Sequence, residues 1–355
     1  MKILVINPGS TSTKLAVFEK GNVVLENTLR HSSEELEGFD SIIDQYNFRA
    51  DIIKNFLNDN SHKLNSFDCI IGRGGLLKPI ESGVYCVNEK MVKDLKSGEF
   101  GDHASNLGGL LALELSNQAK CKAFIADPVV VDEMQDIARI SGIPELERIS
   151  IFHALNQKAV AKRAANELKK DYNNINLIVV HLGGGISVGA HSNGRVIDVN
   201  NALDGDGPFS PERSGGLPVG GLVKMCYSGK YTIDDIKKKL KGKGGLVAYL
   251  KTNNAQEIQQ MIKNGDKNAE LVYKAMAYQI AKEIGALSCV LKGKVDAIVL
   301  TGGIAHDKTY LIPWIKERVD FISKVIVYPG ENEMEALYNA GLEGLKDEKL
   351  IKEYC

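Results

Sequence analysis

Ile3-Leu4-Val5-Ile6-Asn7-Pro8-Gly9-Ser10-Thr11-Ser12-Thr13-Lys14-Leu15-Ala16-Val17-Phe18-Glu19 is an apolar run, a small-residue loop and a second apolar run. The chain repeats the pattern as Leu177-Ile178-Val179-Val180-His181-Leu182-Gly183-Gly184-Gly185-Ile186-Ser187-Val188-Gly189-Ala190. Each copy continues through a short turn into a third strand pattern, Lys20-Gly21-Asn22-Val23-Val24 and Ser192-Asn193-Gly194-Arg195-Val196, as hairpins joined by tight Gly/Asn turns do. A Gly/Ser/Thr loop lets backbone N–H groups and hydroxyls close on phosphate oxygens without interference from Cβ atoms. Two such loops point to two halves gripping a phosphate chain. A second echo pairs Asp68-Cys69-Ile70-Ile71-Gly72-Arg73-Gly74-Gly75 with Asp296-Ala297-Ile298-Val299-Leu300-Thr301-Gly302-Gly303. One short glycine motif is weak evidence, because ordinary turns and strand ends look alike. Several matched in order across two halves outweigh that reading.

At 355 residues the chain exceeds one comfortable core, and two domains are expected with a boundary near residue 150. Hydrophobic content of 44% and charged content of 25% are ordinary for a soluble globular protein. With 44 basic against 45 acidic side chains, no general field exists to attract nucleic acid or an anionic membrane. Neither is expected as a partner, and any anion site must be local. The apolar run Ile3 to Ile6 is too short for a signal-peptide core, and no run approaches about 20 apolar residues, so a cytoplasmic location is expected. Six cysteines without a Cys-x-x-Cys pair fit reduced thiols better than disulfides or zinc.

Hairpins fill roughly residues 3–30. An amphipathic helix over 41–58 follows, with Ile42, Ile43, Tyr46, Ile52, Ile53, Phe56 and Leu57 near helical spacing. A strand over 67–72 ends at Arg73, and a helix starts after Ser105 as N-cap. Ala123 to Ala126 form a strand that delivers Asp127. A helix over 153–169 precedes the second glycine loop, the Gly- and Pro-rich segment 200–221 has no periodicity, and helices are expected over 269–291 and 333–346, the last packing back on the first half.

Phosphoryl transfer needs a phosphate cradle, cations on the transferring group and carboxylates to hold Mg²⁺. Arg73, between Gly72 and Gly74-Gly75, and Arg213, before Ser214-Gly215-Gly216, have small neighbours that let a guanidinium fork onto two oxygens, with a surface ion pair as the alternative. Asp127, before Pro128, suits a carboxylate that holds magnesium through water, or equally an Asx turn. His103 and His153 each stand before a helix and suit an anion-facing imidazole or a cap; His181, before the glycine loop, suits a core position as well. Glu331, Glu333 and Glu335 are explained adequately by the positive end of the last helix.

Six segments make the chain resemble the acetate/butyrate kinase family, and its butyrate kinase branch in particular, within the actin and sugar kinase superfamily. They are Asn7 to Lys14, Gly72 to Pro79, His103-Ala104-Ser105-Asn106-Leu107-Gly108, Phe152-His153-Ala154-Leu155-Asn156, Gly183 to His191 and Pro211-Glu212-Arg213-Ser214-Gly215-Gly216. The resemblance spans essentially the whole chain. It implies an α/β, duplicated two-domain actin-like ATPase fold with ribonuclease H-like halves and a central active-site cleft. An acyl-substrate domain would occupy 1–150 with 335–355 packed back on it, and a nucleotide-binding domain 151–334.

The implied reaction is reversible transfer from ATP to the carboxylate of butyrate or a short branched-chain acid, giving an acyl phosphate and ADP, with Mg²⁺ as cofactor. Acetate or propionate kinase is the near alternative, and a non-catalytic nucleotide-binding scaffold the distant one. By resemblance Asn7, Arg73, Asp127, His153 and Arg213 are active-site positions, with His103 and His181 nearby. Gly183, Gly184 and Gly185 would meet the nucleotide phosphates, Gly302, Gly303 and Ile304 would lie under the adenosine, and Glu333 would help Asp127 place magnesium. Domain closure would exclude water, and a homo-oligomer, dimer or larger, goes with the family. The chain departs from it at Lys251-Thr252-Asn253-Asn254-Ala255-Gln256, where butyrate kinases usually carry an acidic and a basic residue at the positions of Asn254 and Gln256. Weakened ATP preference is therefore expected. Gly75 stands where acetate kinases carry valine, which predicts a longer acyl pocket lined further by Phe152 and Pro208.

Overall fold

Four consecutive apolar residues, as in Ile3 to Ile6, suit a strand buried on both faces, and all four are 0% exposed. The computed structural model describes all 355 residues. They divide into two units, Met1–Val131 with Asn332–Cys355, and Asp132–Glu331.

In the first unit the strands are β1 (Lys2–Gly9), β2 (Ser12–Glu19), β3 (Asn22–Arg30), β4 (Cys69–Arg73), β5 (Val84–Cys86) and β6 (Lys122–Ala126). Their order across the sheet is Ile351–Lys352, β5, β6, β4, β1, β2, β3. β1, β2 and β3 form an antiparallel meander, while β4 runs parallel to β1 and β6 parallel to β4. The second unit has β7 (Asn176–Leu182), β8 (Ile186–Ser192), β9 (Arg195–Val199), β10 (Ala297–Gly302) and β11 (Val325–Pro329), ordered β11, β10, β7, β8, β9. It repeats the same meander and the same two parallel pairings.

The repeat extends to detail. Register shifts fall between Val17 and Phe18 in one meander and between Ala190 and His191 in the other. Lys20 and Gly21 have φ of 50° and 93°, and Asn193 and Gly194 have 50° and 78°, the paired left-handed residues that a two-residue hairpin turn requires. Asp68 accepts a hydrogen bond from the backbone N–H of Lys2 at 2.6 Å, and Asp296 one from Asn176 at 2.8 Å. Each carboxylate thus pins the start of one strand to the start of its parallel neighbour.

Alternation along the strands assigns the faces. In the second unit Leu177 and Val179 pack with Val160, Ala161 and Ala164 of the helix Ala154–Glu167, whereas Ile178, Val180 and Leu182 pack with Met276, Ile280 and Ile284 of the helix Lys267–Val290. In the first, Ile3, Cys69 and Ile71 lie against Gly341 of the helix Glu333–Lys346. The alternate face of β4 meets the helix Asn106–Ala119. Asn7 carries the last side chain of the odd-numbered row of β1, before Gly9, and His181 that of β7; each meets the start of the helix covering that face.

Two local expectations change. Ser105 precedes the helix Asn106–Ala119 but makes no capping bond; its hydroxyl lies 2.9 Å from Nδ1 of His103. Residues 132–150 belong with the second unit, which moves the boundary from 150 to 131. Gln135 donates to the Ile197 carbonyl at 3.0 Å, Arg148 to Asp198 at 2.9 Å, and Glu133 accepts from buried Lys158 at 2.6 Å. No helix is long and apolar enough to cross a membrane.

Gly72 of β4 and Gly108 of the helix Asn106–Ala119 touch backbone to backbone: a Cβ on Gly72 would strike the Gly108 carbonyl, and one on Gly108 the Arg73 carbonyl. We expect Gly72→Ala and Gly108→Ala each to cost about 1–3 kcal/mol, the range for overpacking a close contact. The double variant should cost less than the sum, because both relieve one contact by moving one helix. Urea unfolding of the three variants checks this, and wild-type stability in either single variant would overturn it.

Candidate active site

In the first unit Asn7, Arg73 and Glu333 meet. Glu333 Oε2 accepts from Asn7 Nδ2 at 2.7 Å and from Arg73 Nη1 at 3.0 Å. Arg73 Nη1 also lies 3.4 Å from Asn7 Oδ1. Glu333 is therefore more than an acidic residue at a helix start. It aims the guanidinium that β4 delivers. Arg73 keeps a quarter of its side chain exposed, so the fork is held at one nitrogen and remains accessible elsewhere.

The loop Gly9 to Thr13 is built around a residue that sequence reasoning missed. Arg49, on the helix Tyr46–Asp59, is 0% exposed. Its Nη1 donates to the carbonyls of Gly9 and Ser12 at 2.7 and 3.0 Å and to the Thr13 hydroxyl at 3.2 Å. Nη2 donates to the Ser10 carbonyl at 2.9 Å and to Gln45 at 2.7 Å. Burial lowers its pKa to about 10, still high enough to keep the charge at neutral pH. A cation that gathers a loop's carbonyls on one side fixes that loop's conformation, as a small-residue anion cradle requires. The available signal was position: Arg49 falls between Tyr46 and Ile53 at helical spacing, on the apolar stripe.

Asp127 sits at the end of β6 with φ of 38°. Its Oδ1 accepts from the Ser82 hydroxyl at 2.7 Å and the Gly83 N–H at 2.8 Å, so it ties down a neighbouring loop. His103 Nδ1 accepts from the Ser105 N–H at 3.2 Å, which leaves the proton of a neutral ring on Nε2. No group of three His, Cys, Asp or Glu side chains forms a metal cage. Mg²⁺ bound mainly by phosphates and water needs only one or two carboxylates, and the bonds to Glu333 and to Asp127 each fall on a single oxygen. These residues fit that sparse mode.

Gly75 overturns its expectation. A Cβ there would lie 2.6 Å from Asn106 Cα and 2.8 Å from Leu95 Cδ2, so the glycine faces packed protein and opens no acyl pocket. Its role is to let the chain after Arg73 lie against buried Asn106, whose Oδ1 accepts from Leu76 N–H at 2.8 Å and whose Nδ2 donates to Gly101 at 2.9 Å. Gly75→Val would disturb folding for every substrate alike.

In the second unit His153 precedes the helix Ala154–Glu167 and stacks on His181, with centroids 3.7 Å apart and planes 9° apart. His153 Nδ1 lies 2.9 Å from the Ser187 hydroxyl, and His181 Nδ1 2.8 Å from Asn156 Oδ1. His181 Nε2 sits beneath Gly183 and 3.7 Å from a Glu331 oxygen. Arg213 bonds the Ala202 carbonyl, and its guanidinium occupies the space a Cβ on Gly185 would need. The glycine loop and Arg213 are thereby brought together. Burial lowers the Arg213 pKa, as expected of a cation held ready in a poorly hydrated place.

Gly302 has φ of 92° and packs on the Leu182 backbone, whereas Gly303 has nothing within 4 Å of a Cβ position; Ile304 is half-buried against the core. Phe152 is 2% exposed and Pro208 is buried, both in the second unit. Asn254 is exposed and caps the helix Ala255–Lys263, its Oδ1 accepting from Gln256 N–H at 2.9 Å. Asparagine and aspartate cap equally well, so this departure keeps a structural role intact.

Arg49→Met should remove the donors from several buried acceptors at once, each costing about 1–3 kcal/mol when unsatisfied. Because the loop can relax toward water, we expect a net loss of about 3–5 kcal/mol, the range for breaking a buried charged network. Arg49→Lys should recover the charge but not the fork. Chemical denaturation measures both, and a loss below about 1 kcal/mol in Arg49→Met would show that the clamp does not organise the loop.

The acetokinase family model matches residues 147–324. Butyrate kinase 2 of Clostridium acetobutylicum is 58% identical over 353 residues, covering 99% of each chain. Among solved structures, Porphyromonas gingivalis acetate kinase superposes with a TM-score of 0.79 at 20% identity, covering 96% of this chain and 99% of its own. A propionate kinase from Francisella tularensis gives 0.73 at 20%, covering 95% and 98%. These two likenesses establish the fold, a mixed α/β architecture of the actin-like ATPase type. On its sequence and its duplicated architecture together, the chain belongs to the acetokinase family.

Proposed function

We propose that this chain is a Mg²⁺-dependent carboxylate kinase that moves the γ-phosphoryl group of ATP onto butyrate or a short branched-chain acid, reversibly giving an acyl phosphate and ADP. The observation that carries the reading is the 58% identity to a butyrate kinase across 99% of both chains. It is supported by two prepared sets of polar groups, Asn7, Arg73 and Glu333 in one unit and His153, Arg213 and the glycine loop in the other.

The chemistry suits these residues. A carboxylic acid with a pKa of about 4–5 is ionised at neutral pH, so the acceptor needs no general base. The barrier is then one of charge and position. Arg73 can fork onto acceptor or phosphoryl oxygens, Arg213 adds a second cation, and His153 donates a hydrogen bond to an equatorial oxygen. Glu333 and Asp127 would hold Mg²⁺ through water, and the ion would neutralise phosphate charge. In this reading Gly183 to Gly185 offer backbone N–H groups to the nucleotide phosphates, and Gly302 to Ile304 flank the nucleoside. A cytoplasmic location and a homo-oligomer accompany the proposal, as expected of the family.

The test is an assay of ADP release with acetate, propionate, butyrate and isobutyrate. We expect the highest kcat/KM with butyrate or isobutyrate, and a margin over acetate of about 10–200-fold, the range for apolar pocket discrimination. A preference for acetate would overturn the substrate, and absence of ADP release with all four would overturn the reaction. Arg73→Ala and Arg213→Ala should each lower kcat by about 10²–10⁵-fold, the range for losing one preorganised donor or an arginine finger. Near-normal turnover in either variant at saturating ATP and butyrate would remove that arginine from the chemistry.

A further inference from the structure

The direction of every bond in a buried row of side chains behind His153 can be worked out from one carbonyl. Gln157 is 0% exposed, and its Nε2 lies 3.1 Å from the Ser187 backbone oxygen and 2.8 Å from the Ser187 hydroxyl. The backbone oxygen can only accept, so the amide nitrogen stands on that side and gives both its protons to Ser187. Gln157 Oε1 then accepts from Nε2–H of His191 at 3.0 Å. Burial pushes the His191 pKa well down, so that ring is neutral and its Nδ1 accepts from the Tyr172 hydroxyl at 2.8 Å. At the other end Ser187, also 0% exposed, has accepted from Gln157 and has one proton to give. The acceptor in reach is Nδ1 of His153 at 2.9 Å. The proton of neutral His153 is therefore on Nε2.

Asn156 repeats the device for the stacked partner. Its Nδ2 donates to the Glu331 backbone oxygen at 2.6 Å, which turns Oδ1 toward His181 and makes it accept from Nδ1–H at 2.8 Å. The two rings, 3.7 Å apart, thus use Nδ1 in opposite ways, His153 as an acceptor and His181 as a donor.

We propose that Tyr172, His191, Gln157 and Ser187 form a one-way hydrogen-bond relay that locks neutral His153 as its Nε2–H tautomer, a fixed donor toward an anionic oxygen. These four are positioning residues, acting through His153. The tautomer follows from the bonds alone, whereas its use on a phosphoryl oxygen rests on the kinase reading. The opposite tautomer would present a lone pair to an anion and repel it.

The deciding measurement is long-range ¹H–¹⁵N correlation spectroscopy on the full-length protein labelled at its seven histidines, at about pH 8.5, well above the ordinary imidazole pKa. His153→Asn and His181→Asn spectra assign the two rings. We expect His153 to show a protonated Nε2 and an accepting Nδ1, and His181 the reverse. His153 with Nδ1 protonated, or both rings in one tautomer, would overturn the relay whatever any variant does. Ser187→Ala should give His153 a mixture of tautomers and lower kcat by about 10–100-fold, the scale for losing an orienting partner, with the KM for ATP nearly unchanged. A pure Nε2–H signal and wild-type kcat in Ser187→Ala would also overturn it. The expected tautomers in a protein that phosphorylates no carboxylate would leave the relay standing and remove the kinase reading. Reversed tautomers in an active kinase would do the opposite.

Discussion

A backbone carbonyl can accept a hydrogen bond and cannot donate one, and the polar interior of both units is organised by that one-sidedness. Arg49 is oriented by the carbonyls of Gly9, Ser10 and Ser12. Gln157 and Asn156 are each oriented by one carbonyl, at Ser187 and Glu331, and pass that orientation to an imidazole. Buried amides are ambiguous partners when they face hydroxyls or other amides. Placed against a carbonyl they become directional, and a row of neutral groups can then present a donor at its far end without burying a charge.

The two halves use one architecture for different chemistry. Asn7 and His181 occupy the same place at the end of a first strand, and Arg73 of β4 matches Thr301 of β10 by the registers with β1 and β7. Around that frame the first unit gathers an amide, a guanidinium and a carboxylate, and the second gathers two imidazoles whose Nδ1 atoms meet a hydroxyl and an amide. The common requirement is the helix whose start meets the strand end, Glu333–Lys346 in one case and Ala154–Glu167 in the other. A helix N-terminus favours negative charge. Glu333 satisfies that locally in the first unit. In the second the first turn carries no acidic residue, and His153 stands at the cap.

The duplicated hairpins, the paired Asp strand starts and the last helix were legible because they are local, repeated and periodic. Residues that act across the fold were not. Arg49 is an unremarked cation until its helix is seen to lay it beneath the Gly9 loop, and Gln157 and Ser187 become partners only when β8 passes the helix Ala154–Glu167. Ser105 failed as a cap because His103 takes its hydroxyl. Gly75 misled for a related reason: the resemblance supplies a residue swap, but the direction of the missing side chain depends on where Asn106 and Leu95 lie. Asn254 departs from the family residue while still capping its helix.

The glycines of the motifs accordingly divide into two kinds. Gly72, Gly75, Gly185 and Gly302 have their Cβ directions filled by Gly108, Asn106, Arg213 and Leu182; they exist so that protein can approach protein. Gly303 has no neighbour within 4 Å there, and Gly184 meets only a Glu212 carboxylate oxygen at 3.8 Å. These two leave space for something else to approach the backbone, as does Gly216, which meets only the Gly207 oxygen at 3.7 Å. A glycine-rich motif read as a phosphate cradle is therefore mostly scaffolding: the filled positions let the Arg213 guanidinium lie on Gly185 and the helix Asn106–Ala119 lie on the strand that ends at Arg73, and the open ones expose the short stretch of main chain that a ligand can reach. Gly184 and Gly185 are adjacent and belong to different kinds, which is why the spacing of glycines alone could not separate them.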